Sequence, residues 1–189
     1  KFVGEIPIPW QENMHLFTVL GTHTEFLKNE LYHLPNGAAY LNGHRMIEFV
    51  PSHLQATNSA DSLLERIDDK TLVEIALSFD QPYDPNFVEE TFQPHLVWNW
   101  VDAENVRVIG DEAYGFQYLS DDMENSINAF KVTAEGLMKK DRKYERLQNV
   151  ISNDVKISGV VLTGTYEEVR PYLLLDVVKY ISVGVTIRE

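Results

Sequence analysis

The stretch SGVVLTGTYEEV, Ser158 to Val169, decides how the chain is read. Gly159, four residues and then Gly164 reproduce the glycine spacing of a phosphate loop, which next requires a lysine followed by Ser or Thr. Thr165 and Tyr166 stand there instead. A phosphate loop curls so that several backbone N–H groups face one anion, whereas Val160, Val161 and Leu162 make a run suited to a pleated sheet. Glu167 and Glu168 would also set negative charge beside the phosphates. Thr165, followed three residues later by Glu168, has the pattern of a capping box, in which each side chain satisfies the other's free backbone donor. The stretch predicts a strand handing over to a helix start, with no anion to hold.

Extended outward, the same stretch belongs to a unit VKISGVVLTG, TYEEVRPYLLLD, VVKYISVGVTI, read as strand, short helix and strand. A similar unit begins at about Thr71: LVEIALSFD, QPYDPNFVEETF, HLVWNWVDA. There Asp84 is placed to cap the helix and Pro85 occupies its first position, where a missing N–H costs nothing. Two such units suggest a duplicated half. Between them, Met123, Ile127, Phe130, Ala134 and Leu137 recur at spacings of four and three, the stripe of an amphipathic helix with Asp121 and Asp122 at the positive end of its dipole. Gly136 and the run KKDRK predict a bend or break before Tyr144 and Leu147 resume the apolar face.

The first 60 residues read as an irregular, strand-rich lobe, with EIPIPW, MHLFTVL and RMIEFVP as short β-type runs. In AAYLNGHRMIEF, Asn42-Gly43 can adopt the left-handed angles of a two-residue hairpin turn. The fold expected is α+β: a mixed or mainly antiparallel sheet from two strand–helix–strand units with packed helices, flanked by the strand-rich lobe. The expected division is residues 1–60 for the lobe and 61–189 for the α+β domain.

Composition narrows the function classes. Acidic residues number 29 against 16 basic, a formal net charge of −13, so the summed field repels nucleic acid and anionic membrane surfaces. There is no cysteine, which excludes disulfides, thiolate nucleophiles and thiolate zinc sites. The longest apolar runs fall far short of the roughly 18 residues that read as a membrane span, and KFVGEIPIPW lacks the continuous apolar stretch of a signal peptide. A chain that starts at Lys1 with no initiator methionine is expected to be a soluble domain excised from a longer protein.

Reactive constellations are weighed against plainer readings. His15, His23, His33, His44 and His53 cluster in the first lobe, but none makes the spacing that sets two imidazoles on one helix face. Asp80 and Asp84 in FDQPYD could share a calcium ion, although Asp84 already serves as a cap. Glu89 and Glu90 are neighbours and point apart on a helix. Ser182 in YISVG lacks the first glycine of a nucleophile elbow. Trp98 and Trp100 share one face of their strand, as core against the long helix or as an exposed recognition surface, and a strand so apolar on both faces favours core. No catalytic, cofactor-binding or metal-binding residue is assigned, and no cofactor.

Taken together, LVEIALSFDQPYDPNFVEETF, HLVWNWVD, YGFQY, the helix ending in KKDRKYERL, and VKISGVVLTGTYEEV with YISVGVTI resemble the C-terminal domain of sigma factor regulators, with YLNGHRMIEFVPSH similar to a stretch found ahead of that domain. The resemblance implies the extracytoplasmic, non-enzymatic domain of a membrane-anchored anti-sigma factor of Gram-positive bacteria, tethered on the extracellular side of the membrane by a helix not present in this chain. It implies that the sigma factor is bound by an upstream cytoplasmic segment, also not in this chain, and it supplies no ligand or catalytic residue. An envelope or membrane protein is the partner expected, and nucleic acid is not. The rival readings are a small-molecule or cell-wall-fragment binding module, with a pocket lined by Trp98, Trp100, Tyr114 and Phe116, and an enzyme with converging acids or histidines.

Overall fold

The computed structural model describes residues 31–33, 39–41, 44–45, 47, 49–54, 64–102, 114–119, 122–140, 142, 145 and 147–187. The runs EIPIPW and MHLFTVL, with His15 and His23, lie outside them, as do Asp121 and Tyr144. A three-stranded antiparallel sheet comes first, from β1 (Leu31–His33), β2 (Ala39–Leu41) and β3 (His44–Arg45). Leu41 pairs with His44, so β2 and β3 form a hairpin where one was expected, while the Asn42-Gly43 turn itself lies outside the described residues. RMIEFVP departs from expectation. Beyond Arg45 its described residues form no strand; they lie across the second sheet instead.

That second sheet contains β4 (Leu72–Tyr83), β5 (Leu96–Val101), β6 (Gly115–Gln117), β7 (Ile157–Thr165) and β8 (Val178–Ile187). Its order is β6-β5-β7-β4-β8, and every neighbouring pair is antiparallel. Helix α1 (Pro85–Phe92) links β4 to β5, and α4 (Tyr166–Val169), continued by a 3-10 turn at Arg170–Leu174, links β7 to β8. In each unit the two strands are parallel to one another but separated by a strand of the other unit. The halves are therefore interlocked split β-α-β units, the ferredoxin-like strand order, with β6, α2 (Met123–Lys140) and α3 (Leu147–Ser152) inserted between them. The α+β architecture agrees with the sequence.

The opening stretch is settled by its pairing. β7 runs unbroken through Thr165, with Val73 opposite Gly164 and Leu72 opposite Thr165. The backbone groups a phosphate loop would aim at an anion are part of the sheet ladder. Glu168 accepts hydrogen bonds from the backbone N–H of Thr165 at 2.9 Å and from its hydroxyl at 2.7 Å, so the capping box forms. At α1 the expected side-chain cap does not. Asp84 holds the N-cap position and Pro85 follows, but the Asp84 carboxylate makes no capping bond and pairs with Lys156.

The two sheet faces carry different covers. Val73, Ile75, Leu77 and Phe79 of β4 point toward α1, α2, α3 and α4, joined by Leu96, Val160, Leu162, Ile181 and Val183. In α2 the buried positions are Met123, Ser126, Phe130, Ala134 and Leu137, with Ile127 only partly buried against the core. Asp122 caps α2 by accepting from Asn125 N–H at 2.9 Å. Gly136 stays inside the helix, and the break falls after Lys140.

Candidate functional site on the strapped face

Alternation along β4 places Glu74, Ala76 and Ser78 on the face away from the helices. All three are buried. Pairing aligns Trp98, Val161, Ala76 and Ser182 in one row across four strands, and Trp100, Gly159, Ser78 and Tyr180 in the next. The covering layer is formed by the described residues of segment 47–54, Ile47 and residues 49–54. Ile47 is buried with Ala76, Trp98, Trp100 and Val161. Phe49 lies over both tryptophans, its ring centroid 5.6 Å from that of Trp98 and 5.0 Å from that of Trp100.

Polar bonds pin the strap. Val50 N–H donates to Ser78 Oγ at 2.9 Å. Lys179 Nζ donates to the carbonyls of Pro51, Ser52 and Leu54. The tryptophans are thus core, as expected, but beneath this strap and not against the long helix. Phe116 stands on the other face, its ring centroid 5.5 Å from that of Phe130, and Tyr114 packs on that helix-side core as well. The sheet separates the four aromatics that a ligand pocket would need to converge.

At the end of the strapped face lies Glu74, with 3% of its surface exposed. β8 bulges opposite it: Val73 pairs with Thr186 and Ile75 with Val183, leaving Gly184 and Val185 to share the place across from one residue. Val185 N–H donates to Glu74 Oε2 at 3.4 Å, while Oε1 has no hydrogen-bond partner among the described residues. A Cβ on Gly184 would stand 2.3 Å from Glu74 Oε2 and 2.7 Å from Ile47 Cγ2, so only glycine leaves room for the carboxyl under the strap. Burial pushes the Glu74 carboxyl up to about 7, against the lowering effect of the Val185 amide. Neither the sequence motifs nor the histidine and aspartate candidates had pointed to this residue. The available signal was a glutamate sharing a strand face with Ala76 and Ser78, side chains small enough to admit a covering layer.

The other candidates do not assemble. Asp80 accepts from the Tyr83 hydroxyl at 2.9 Å and Asp84 is bound to Lys156, so each acid of the calcium reading has a partner of its own. Glu89 accepts from the Tyr118 hydroxyl at 2.6 Å and from Met123 N–H at 3.0 Å, joining α1 to the start of α2; Glu90 is exposed. Ser182 is buried in the strapped row. Asn99 is fully buried on the helix side between Phe116 and Val160, with neither amide atom bonded among the described residues. No group of three His, Asp or Glu side chains among the described residues could hold a metal ion. No helix among them is long and apolar enough to cross a membrane.

Comparison with known families agrees with the resemblance seen in the sequence. Residues 64–135, less than half of the chain, match the family described as sigma factor regulator C-terminal. No curated protein and no solved structure matches the chain. The matched segment starts ahead of β4 and ends within α2, so it covers the first split unit, β6 and the first part of α2. It suggests a role in sigma factor regulation.

Proposed function

We propose that this chain is the sensing domain of a membrane-anchored anti-sigma factor. It lies on the extracellular side of the membrane and acts through contacts with another envelope or membrane protein. The observation that carries this reading is the family match over residues 64–135. The structure supports it in kind: the aromatics are divided between two covered faces, and Asp80, Asp84 and Glu89 are each engaged with a structural partner. A domain outside the membrane can influence a cytoplasmic sigma factor only if its contacts favour one of two states of the intact regulator. An acidic surface suits a basic partner and makes their association sensitive to salt.

The test uses the intact regulator in cells carrying a reporter of sigma-dependent transcription. Deleting the domain downstream of any membrane anchor is expected to change reporter output at least several-fold. Enzyme fusions to its C-terminus that work only outside the cytoplasm are expected to be active. Unchanged transcription together with fusions active only in the cytoplasm would overturn the assignment.

A further inference from the structure

A carboxyl buried beneath a covering segment, with one oxygen lacking a hydrogen-bond partner among the described residues, would meet different environments with that segment closed and open. With the strap down, Ile47 and the Glu74 carboxyl crowd the same position above Gly184, and among the described residues the distant Val185 amide is the bond that compensates a charge there. With the strap lifted, water reaches both oxygens. Transfer of an ionised carboxylate from water into such a site is unfavourable unless it is paired. We infer that segment 47–54 is a proton-gated latch: protonated Glu74 keeps it closed on the sheet, and ionised Glu74 favours its release.

Among the described residues, no second titratable side chain is bonded to Glu74. Lys179, the cation on β8, is committed to the strap's carbonyls at the other end. Tyr180 lies in the row of Ser78, and His53 is exposed within the strap itself. His44 and Arg45 belong to β3, which lies beside β8. His95 accompanies Gly164 and Val169 toward the helix side, its Nδ1 3.1 Å from the Thr163 carbonyl oxygen. The bulge at Gly184-Val185 supplies the one amide among the described residues that meets Glu74, and its 3.4 Å length makes it weak. Because the proton binds the closed form more tightly, closure and protonation reinforce each other. Acidification holds the strap against the sheet.

The Val50 amide, bonded to Ser78 Oγ, reports the latch directly. Hydrogen exchange across residues 47–54, corrected for intrinsic rates, is expected to lose about tenfold in protection between pH 5.5 and 8.5. Glu74→Gln and Glu74→Leu should each hold their pH 5.5 protection over the whole range. Lys179→Met loosens the opposite end and should lower protection at both pH values while keeping the pH dependence. Unchanged wild-type protection overturns the latch, and so does a Glu74 variant that folds and follows the wild-type profile. Loss of the pH dependence in Lys179→Met would also overturn it, by moving the gate away from Glu74. If neither Glu74 variant folds, carbon-13 titration of Glu74 in the wild type decides: ionisation in the ordinary range for glutamate, with strap protection constant, overturns the proposal.

Discussion

Glu74 gives the molecule a stability profile opposite in sign to that of a paired carboxylate. Its ordinary value is 4.5 and burial raises it to about 7 in the folded chain. Below both values the group is protonated in both states and costs nothing. Between them the folded chain keeps a proton that the unfolded chain has released, so stability falls as pH rises through that window. The loss amounts to about 3 kcal/mol at most. Urea unfolding at pH 5 and pH 8 should therefore show a steeper decline for wild type than for Glu74→Gln, and parallel declines would mean the carboxyl is well solvated. A second residue-scale expectation concerns Gly115 on β6. A Cβ there would lie 2.1 Å from the Trp98 ring and 2.2 Å from the Asn99 carbonyl oxygen, so Gly115→Ala must displace either a buried indole or a strand. Its cost should be about 2 kcal/mol or more, read as a lowered urea midpoint. Glu74 was hidden in the sequence because alternation reports which face a side chain takes and is silent on what covers that face.

Among the elements, those fixed by local chemistry were legible and those fixed by distant contacts were not. Thr165 and Glu168 lie three residues apart, so their capping box can be read from spacing alone. Thr165 holds the Glu168 carboxyl below the usual carboxylate range through its hydroxyl and then its amide. That contribution is present above the ordinary value and is lost as pH falls through the lowered one. Thr165→Ala removes the hydroxyl, and a cost of about 1 kcal/mol is expected in urea unfolding at pH 7. Asp84 had equal local standing as a cap, but Lys156, far along the chain, competes for its carboxylate. RMIEFVP reads as a strand because its residues favour one; the bonds from Val50 to Ser78 and from Lys179 to the strap hold it across the sheet instead. Phe49→Ala tests that cover. Truncating a ring packed on two tryptophans should cost about 2–3 kcal/mol, and in a Trp10→Phe background the emission of Trp98 and Trp100 should shift to the red. An unshifted spectrum would mean that the strap does not shield them.

At the scale of the whole molecule, strand order decides which pieces can fold. β4 and β5, joined by α1, are not neighbours; β7 lies between them and pairs with both. The family-matched segment 64–135 contains β4, β5 and β6 but neither β7 nor β8. Taken alone it would leave β4 with no partner on either side and would expose the helix-side core. A fragment of residues 64–135 is expected to show no cooperative urea transition and little amide dispersion in NMR spectra. A fragment of residues 61–189 keeps all five strands and should fold. It loses Ile47, Phe49 and the bonds that pin the strap, so Trp98 and Trp100 would face water as part of an exposed apolar patch. That fragment should unfold at a lower temperature than the full chain and bind a hydrophobic dye in its native state. The full chain should not bind the dye at pH 5.5, where the strap is closed. A cooperative transition in 64–135 would show that interlocking of the split units is not what holds this sheet together. Dye-free, fully stable behaviour of 61–189 would show that the sheet needs no cover on the tryptophan face.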